Sequence, residues 1–173
     1  MPQIKKFLSK KGISFILLLS IVTIFIYFLF GKDYGFVRVD GESMLPTYKD
    51  GNNLVYQIDY PFHRNSVVVI DINGERLIKR IIALEGERVR IKHGKIFIND
   101  KEYKDKYGVG EITYWLESEE ERIKKQKKEW LFFNVHENVG LIPKGHVFVI
   151  GDNRQISWYG IAQKNNIKGT VIW

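Results

Sequence analysis

Three short segments of the chain each contain a side chain that could take part in catalysis: a nucleophile in the first, a base in the second and hydrogen-bonding groups in the third. Each of these side chains lies in a pattern that predicts a strand or a turn. Residues 39–47 read VDGESMLPT, residues 74–83 read GERLIKRIIA, and residues 147–157 read VFVIGDNRQIS. They offer a hydroxyl on a turn, an amine between apolar neighbours and a polar turn after an apolar strand. Brought together, such groups could carry out nucleophilic attack on a carbonyl carbon with lysine as the base.

Ser43 is predicted to lie on a sharply turned loop after a strand that ends near Val39. Gly41 permits backbone angles that other residues avoid, and Pro46 stops a helix from continuing. In such a loop the hydroxyl can project while neighbouring N–H groups converge on one point, as a nucleophile with an oxyanion hole requires. The alternative is that Ser43 is an ordinary turn or capping residue.

The basic pair Lys79-Arg80 lies in a run that predicts a strand. Strand side chains alternate between faces, so Lys79 shares a face with Leu77 and Ile81. Arg80 shares the opposite face with Ile78. Burial of an amine without a counter-charge lowers its pKa, and a buried lysine can then act as a neutral base. The alternative is that the long side chain extends to water.

The third segment predicts an apolar strand that runs into a tight turn. Asp152 and Asn153 are turn-forming residue types, and Arg154 would be their ion-pair neighbour. Ser157 follows closely enough to hydrogen-bond an amine and orient it. These residues could equally form a purely structural turn.

An all-β scaffold is predicted to position the three segments. Short β-rich runs alternate with turn signals, which favours a folded antiparallel sheet or a small barrel. Strands are expected near residues 36–39, 53–57, 66–72, 76–84, 88–92, 95–98, 147–150 and 169–173.

One apolar segment precedes this scaffold. Residues 13–30 carry no charge, and a helix of 18 residues spans about 27 Å, close to the roughly 30 Å hydrocarbon core of a bilayer. The lysines at positions 5, 6, 10 and 11 precede it, which favours a cytoplasmic amino terminus and an extracytoplasmic remainder. A cleaved signal peptide is the alternative, but the apolar run is long for one and no A-x-A site follows it.

The sequence therefore predicts three regions: a cytoplasmic tail at 1–12, a transmembrane helix at 13–30 and an extracytoplasmic catalytic domain at 32–173. A charged insert is expected at about residues 101–135, and its segment 117–129 favours a solvated helix or mobile loop over a partner-docking surface. Without the four tail lysines the net charge of +7 falls to +3, which indicates the lipid bilayer rather than nucleic acid as a partner.

Missing residue types exclude several other chemistries. The chain has no cysteine, so disulfides, Cys-ligated zinc and a thiol nucleophile are excluded. No H-E-x-x-H or paired-histidine spacing occurs, and we expect no metal and no cofactor. A serine hydrolase with a histidine base is a further alternative, but no G-x-S-x-G motif is present and all four histidines lie in polar or turn-like contexts.

Taken together, the three segments resemble the type I signal peptidases of bacteria, peptidase family S26. The similarity lies in GESMLPT, then RLIKRIIALEGERV, then PKGHVFVIGDNRQIS, behind an apolar amino-terminal segment, and it covers most of residues 36–173 apart from the charged insert. It implies an all-β, membrane-anchored serine endopeptidase. Such an enzyme removes signal peptides from exported precursor proteins at the outer face of the membrane.

The resemblance also implies a role for each matching residue. Ser43 would be the nucleophile, Lys79 the general base, and Ser157 the residue that orients the lysine. Gly41 stands where some members carry a serine that adds an oxyanion donor. The residues expected to support the site are Asp152, Arg154 and Arg80. Those expected to form shallow apolar pockets for an extended substrate are Val39, Met44, Leu77 and Ile78.

The chain departs from the family pattern after Ser157, where it reads Trp-Tyr-Gly and is about three residues shorter than members with an Asp-Ser-Arg segment. An acidic residue that usually braces this region is therefore missing. This leaves open a non-catalytic, membrane-anchored β-domain that binds peptides or scaffolds a secretion complex. A self-cleaving regulator with the same serine–lysine pair is another alternative, although such proteins usually carry a DNA-binding or cleavable arm.

Overall fold

A computed structural model of the chain describes residues 10–30, 33–104, 106–112 and 140–172. The chain divides into two units, Met1–Tyr34 and Gly35–Trp173. The first unit contains one helix, α1 (Lys10–Phe30), whose residues 13–27 are exposed. The hydroxyls of Ser20 and Thr23 donate to carbonyls of the preceding turn, each at 2.8 Å. Within the described residues, no helix combines the length and the mean hydropathy of a membrane-spanning segment.

In the described part of the chain the strands form two sheets, and the larger sheet contains seven strands. In chain order these are β1 (Tyr34–Arg38), β2 (Asn53–Gln57), β3 (Val67–Ile72), β4 (Glu75–Ala83), β9 (His146–Ile150), β10 (Tyr159–Gln163) and β11 (Ile167–Val171). Across the sheet they lie in the order β1-β2-β11-β3-β4-β9-β10, and the pairings from β2 to β10 are antiparallel. A 3-10 turn at Lys164–Asn166 joins β10 to β11.

The smaller sheet has four strands, β5 (Arg88–Lys92), β6 (Lys95–Ile98), β7 (Lys101–Glu102) and β8 (Gly140–Leu141), in the order β7-β6-β5-β8. Its pairings are also antiparallel. The strand β5 alternates buried and exposed residues, so one face packs on the core and the other faces water.

A tight hairpin between β3 and β4 sets the register of the strand that carries the basic pair. Asn73 and Gly74 have φ values of 54° and 85°, the left-handed geometry of a two-residue hairpin turn that matches strand twist. The register that follows pairs Val68 with Lys79. Lys79 is therefore fixed at mid-strand, in the interior of the sheet.

The strand β4 distributes its side chains over three apolar clusters. Ile78 packs with the cluster that includes Val39 and Met44, from the loop that follows β1. Ile82 packs in a second cluster, with residues of the smaller sheet. Leu77 belongs to a third, on the opposite face of β4 from Ile78. The alternation predicted from the sequence is confirmed, and it places Lys79 on the face of Leu77.

The predicted all-β, antiparallel class is confirmed. The eight expected strands are present, with ends displaced by at most two residues. The sequence did not predict β7, β8 or β10, because the first two contain two residues each and β10 (YGIAQ) has a glycine and little alternation. Of the expected charged insert, residue 105 and residues 113–135 lie outside the described residues.

Candidate active site

The loop that carries Ser43 connects β1 to β2 and is closed by backbone hydrogen bonds at its base. The Val39 N–H donates to the Asn52 carbonyl at 2.8 Å, and the Gly51 N–H donates to the Val39 carbonyl at 2.9 Å. Gly41 has a φ of 82°, and its N–H donates to Asp50 Oδ1 at 2.9 Å. The left-handed angle at Gly41 turns the chain sharply before Ser43, as the sequence predicts.

The turn after β9 holds this loop from the other side. The Asn153 N–H donates to the Ser43 carbonyl at 3.0 Å. A Cβ built on Gly151 would lie 2.3 Å from both the Ser43 carbonyl oxygen and Ser157 Oγ, much closer than any real Cβ contact. Only glycine allows the strand end, the Ser43 loop and Ser157 to approach this closely.

Lys79 extends from the middle of β4 to the Ser43 hydroxyl. Its Nζ lies 3.0 Å from Ser43 Oγ and 3.3 Å from Ser157 Oγ. The residue is only 7% exposed, so its stem and amine are enclosed by protein. The structure therefore places the Lys79 amine within hydrogen-bond distance of both predicted serines, Ser43 and Ser157.

Burial lowers the pKa of Lys79 to about 8, although the negative charge of nearby Asp152 raises it in opposition. The cause is desolvation, since a protonated amine loses its hydration when it is enclosed. Among the described residues, no carboxylate lies within ion-pair distance of Nζ to offset that loss. A substantial neutral fraction of the amine is thus present slightly above neutral pH, where it can accept a proton.

The Ser157 hydroxyl is held in place by three polar contacts. Its Oγ accepts a hydrogen bond from the Gly151 N–H at 2.7 Å, and its hydroxyl donates to the Trp158 carbonyl at 2.9 Å. The remaining contact is with Lys79. Because both backbone partners are fixed, the oxygen offers the amine a defined position rather than a mobile neighbour.

A buried ion pair lies next to the dyad. Arg80 Nε and Nη2 donate to the two carboxylate oxygens of Asp152 at 2.8 Å and 2.6 Å, and Asp152 is fully buried. Thr47 donates its hydroxyl to Asp152 at 2.5 Å, and Arg80 also donates to the Asn65 carbonyl at 2.7 Å. The guanidinium stacks 3.9 Å from the centre of the Tyr107 ring. This network ties the Ser43 loop, β4 and the turn after β9 together.

The expected ion-pair neighbour of Asp152 was Arg154, but the salt bridge of Asp152 is with Arg80. Arg154 instead donates from Nη1 to the Gly151 carbonyl at 2.5 Å, and its N–H donates to the Val109 carbonyl at 2.9 Å. Burial, followed by the charge of Arg80, lowers the pKa of Arg154 to about 10, so it remains a cation at neutral pH. It braces the glycine turn beneath Ser157.

The arrangement has the parts that acyl transfer needs. Ser43 supplies a hydroxyl, and Lys79 supplies an amine that can be neutral. Among the described residues, no acceptor takes the Ser43 N–H, which leaves that group available to an oxyanion. The described histidines that make polar contacts bond elsewhere: His63 with Ser66, and His146 with the Lys144 carbonyl. In the described part of the chain no cluster of three metal-ligating side chains occurs.

The four expected pocket residues fall into two groups. Val39, Met44 and Ile78 are buried together on one side of β4. Leu77 lies on the other side, where it lines a cavity together with Lys79. Strand alternation already placed Leu77 and Ile78 on opposite faces of β4, but it does not show on which face the loop that carries Ser43 packs.

A profile of the family described as signal peptidase, peptidase S26, matches residues 10–173 of the chain. The chain belongs to that family. Signal peptidase I of Bacillus caldolyticus is 31% identical over 150 residues, which are 77% of this chain and 74% of that protein. Signal peptidase I of Streptococcus pneumoniae TIGR4 is 28% identical over 178 residues, which are 91% of this chain and 85% of that protein. A crystal structure of a signal peptidase I from Enterococcus faecalis V583 has 21% identity and a TM-score of 0.44, and covers 66% of this chain and 99% of that chain.

In this signal peptidase family member, sequence reasoning missed the partners that organise the support network. Thr47, Asn65 and Tyr107 all contact Arg80 or Asp152. Sequence reasoning could have identified Thr47, since it lies in the same loop as Ser43. Asn65 contributes a backbone carbonyl and Tyr107 a ring face, and neither leaves a recognisable pattern of residue types.

We expect Gly151→Ala to destabilise this signal peptidase family member, because the added methyl group would overlap the Ser43 carbonyl and Ser157 Oγ. Overpacking of this kind costs about 1–3 kcal/mol of unfolding free energy. Urea unfolding measures the change. Gly145→Ala is the control, since a Cβ there has open space, although its φ of 77° is still strained. A loss at Gly151 no larger than the loss at Gly145 would contradict the close-approach argument.

We expect Lys79→Met to raise the free energy of unfolding at pH 7, because the buried amine is costly when charged. The pKa of Lys79 falls from an ordinary value of 10.5 to about 8 in the folded protein. Between these two pH values the unfolded chain binds more protons than the folded one. The free energy of unfolding of the wild type therefore rises with pH over this range. The advantage of Lys79→Met should therefore shrink by about 1 kcal/mol between pH 7 and pH 9. Urea unfolding at both pH values measures it. The exposed Lys92→Met is the control, and an advantage independent of pH would refute the buried-amine interpretation.

Proposed function

We infer that this chain is a serine endopeptidase that cleaves signal peptides from precursor proteins. Its family membership and the signal peptidase I relatives support the activity. The observation that carries the assignment of residues is the 3.0 Å approach of Lys79 Nζ to Ser43 Oγ in a buried setting. We propose Ser43 as the nucleophile and Lys79 as the general base.

In the proposed reaction, neutral Lys79 accepts the proton of the Ser43 hydroxyl while Oγ bonds to the carbonyl carbon of the scissile peptide. The tetrahedral intermediate then collapses, the C–N bond breaks, and Lys79 returns the proton to the departing nitrogen. Water, deprotonated by the same amine, hydrolyses the acyl-enzyme and regenerates the serine. No cofactor is needed, since lysine performs both proton transfers.

The Ser43 N–H is proposed as an oxyanion donor. One such donor contributes roughly 2.7–4 kcal/mol to the transition state in other serine hydrolases. Gly41 brings no side-chain hydroxyl to this point, and a Cβ built on it would meet no atom within 4 Å. The Ser43 N–H is therefore proposed to stabilise the negative charge without a side-chain donor from position 41.

The remaining site residues are proposed as positioning residues. Ser157 would fix the lysine rotamer, since its Oγ lies 3.3 Å from Nζ and is itself held by the backbone. Arg80 and Asp152 would hold the Ser43 loop through Thr47. Arg154 would hold the turn that contains Gly151. The non-catalytic alternative is less favoured, because a scaffold that did not catalyse would not need a nucleophile and a low-pKa amine kept in contact.

Substrate is proposed to lie extended across the site, with small side chains on the amino side of the scissile bond against Val39, Met44 and Ile78. These three residues belong to one buried apolar cluster, and Met44 directly follows Ser43 along the chain. Met44 is only 1% exposed. A cluster that leaves so little open space suits small side chains better than large ones.

We also propose that α1 anchors the enzyme in the bilayer, with residues 1–12 in the cytoplasm and residues 32–173 outside. Support comes from the 18 uncharged residues at 13–30, the exposure of the apolar side chains along the helix, and the basic tail. Tethering would hold enzyme and precursor near one plane and raise their effective concentration.

We expect Ser43→Ala and Lys79→Ala each to reduce precursor cleavage by about 1,000-fold or more, since neither remaining group can replace the lost one. Wild-type kcat/KM should rise about tenfold from pH 7 to pH 9, as the amine with a pKa of about 8 loses its proton. Cleavage of a full-length precursor in detergent measures both effects.

The matched control for the lysine is Lys92→Ala, an exposed residue of β5 that should leave the rate and the pH profile unchanged. Retention of cleavage by both dyad variants would disprove the assignment. A lower limb of the pH profile near 6.5 would instead point to a histidine base.

The anchor can be tested by labelling, because the chain has no native cysteine. We expect a single cysteine at Lys49 to react with a membrane-impermeant maleimide added outside intact cells, whereas one at Gln3 reacts only after lysis. Alkaline carbonate should leave wild-type protein in the membrane pellet. Extraction of the protein by carbonate, or labelling of both cysteines from outside, would overturn the proposed topology.

A further inference from the structure

A cavity of about 540 Å³ opens on the same face of the large sheet as Lys79. Its floor is formed by apolar side chains of three adjacent strands, including Ile70, Leu77 and Val149, and Trp158 and Tyr159 lie along it. This volume falls within the roughly 300–1,000 Å³ typical of ligand sites. The cavity is therefore large enough to hold side chains of a bound peptide.

We propose that this cavity binds the residues on the carboxyl side of the scissile bond, which become the amino terminus of the released protein. The proposal rests on the proposed function, since it needs a peptide cleaved at Ser43. It assigns to Ile70, Leu77 and Trp158 a role in substrate specificity that is separate from the surface formed by Val39 and Ile78.

The direction of the substrate follows from the proton transfers. Lys79 must contact the departing nitrogen to return the proton, so that nitrogen lies on the Nζ side of the Ser43 oxygen. The residues joined to the nitrogen continue from that point. Because Lys79 itself lines the cavity, the chain that follows the scissile bond enters it directly.

The two faces of β4 separate the two halves of the substrate. Ile78 faces the cluster of Val39 and Met44, where the acyl half is proposed to lie. Leu77, one residue earlier, faces the cavity. One strand thus presents opposite side chains to the two sides of the bond, with Lys79 at the junction.

Polar side chains, among them Asn73, Gln163 and Asn166, line the cavity beside the apolar ones. In the part of the lining next to Lys79, Leu77 and Trp158 favour an apolar substrate side chain close to the cleaved bond. Trp158 directly follows Ser157, whose Oγ lies 3.3 Å from Lys79 Nζ, and Leu77 is two residues from Lys79 on the same face. The carboxylate of Asp71 is at the rim, 3.8 Å from Lys168. An acidic side chain in the substrate would lose hydration against the apolar floor and be repelled by Asp71.

The test uses full-length enzyme in detergent with two peptide series around one signal-peptide cleavage site. The first series varies the two residues after the scissile bond among leucine, alanine and aspartate, and the second varies the residues before it. We expect wild type to prefer leucine over aspartate after the bond by about tenfold in kcat/KM. Trp158→Ala should reduce this leucine-to-aspartate ratio several-fold and leave the preferences in the second series unaltered. Trp158→Phe should largely restore the ratio.

Phe36→Ala is the matched control, because Phe36 is an aromatic residue, 72% exposed, on the distant edge strand β1. It should keep both preferences. A wild-type enzyme that cleaves but shows no preference after the bond would overturn the cavity assignment alone. A changed preference for the residues before the bond in Trp158→Ala would place the acyl half of the substrate in the cavity, and this would also overturn the cavity assignment. Absence of any cleavage by wild type would instead refute the proposed function.

Photo-crosslinking provides a second measurement that needs no turnover and no substitution at Trp158. Ser43→Ala is incubated with peptides that carry benzoylphenylalanine either two residues after or two residues before the scissile bond. We expect the first probe to label segments 70–77 and 158–163, and the second to label segment 37–46. The reverse pattern, or labelling of segment 37–46 by both probes, would disprove the proposal.

Discussion

The site depends on the cost of enclosing one amine. Lys79 is nearly excluded from water and has two hydroxyl oxygens as polar neighbours, so the protonated form is penalised more than the neutral form. A buried amine of this kind requires that the surrounding fold be stable enough to tolerate it. The rest of the domain can be understood as the means of keeping that amine dry, low in pKa and 3.0 Å from a serine.

The neighbouring Arg80 limits how far the carboxylate of Asp152 raises the pKa of Lys79. Asp152 is close enough to raise the pKa of Lys79, and an unpaired carboxylate there would favour the protonated amine more strongly. Arg80 occupies both oxygens of Asp152, and Thr47 donates to one of them. The pair is almost entirely buried, and a buried pair of this kind is better regarded as specifying geometry than as adding stability. Its position between the Ser43 loop and the turn after β9 agrees with that role.

The sequence predicted much of the fold because the turns and strand alternation are local. Asn73-Gly74 and His93-Gly94 specify two-residue hairpins without help from distant residues, and they set the registers of β4 and β6. The dyad was predicted by its resemblance to a family and by the apolar neighbours of Lys79. The alternatives of a snorkelling lysine and a simple turn serine remained open at that stage, since only the packing of a distant loop decides which side chain is enclosed. The sequence could not predict the long-range contacts. Arg80 pairs with Asp152, which lies 72 positions away along the chain. Arg154 is nearer to Asp152 in the sequence, but it donates to the Gly151 carbonyl instead.

The segment after Ser157 shows how main-chain groups alone can position a side-chain hydroxyl. Ser157 takes its position from the Gly151 N–H and the Trp158 carbonyl, both main-chain groups, and not from a carboxylate. A hydroxyl fixed by the backbone tolerates changes in nearby side chains as long as residue 151 remains a glycine. With β10 beginning only two residues after Ser157, Trp158 lines the same cavity as Lys79. In the proposed reaction, this aromatic side chain contacts the chain that departs from Lys79.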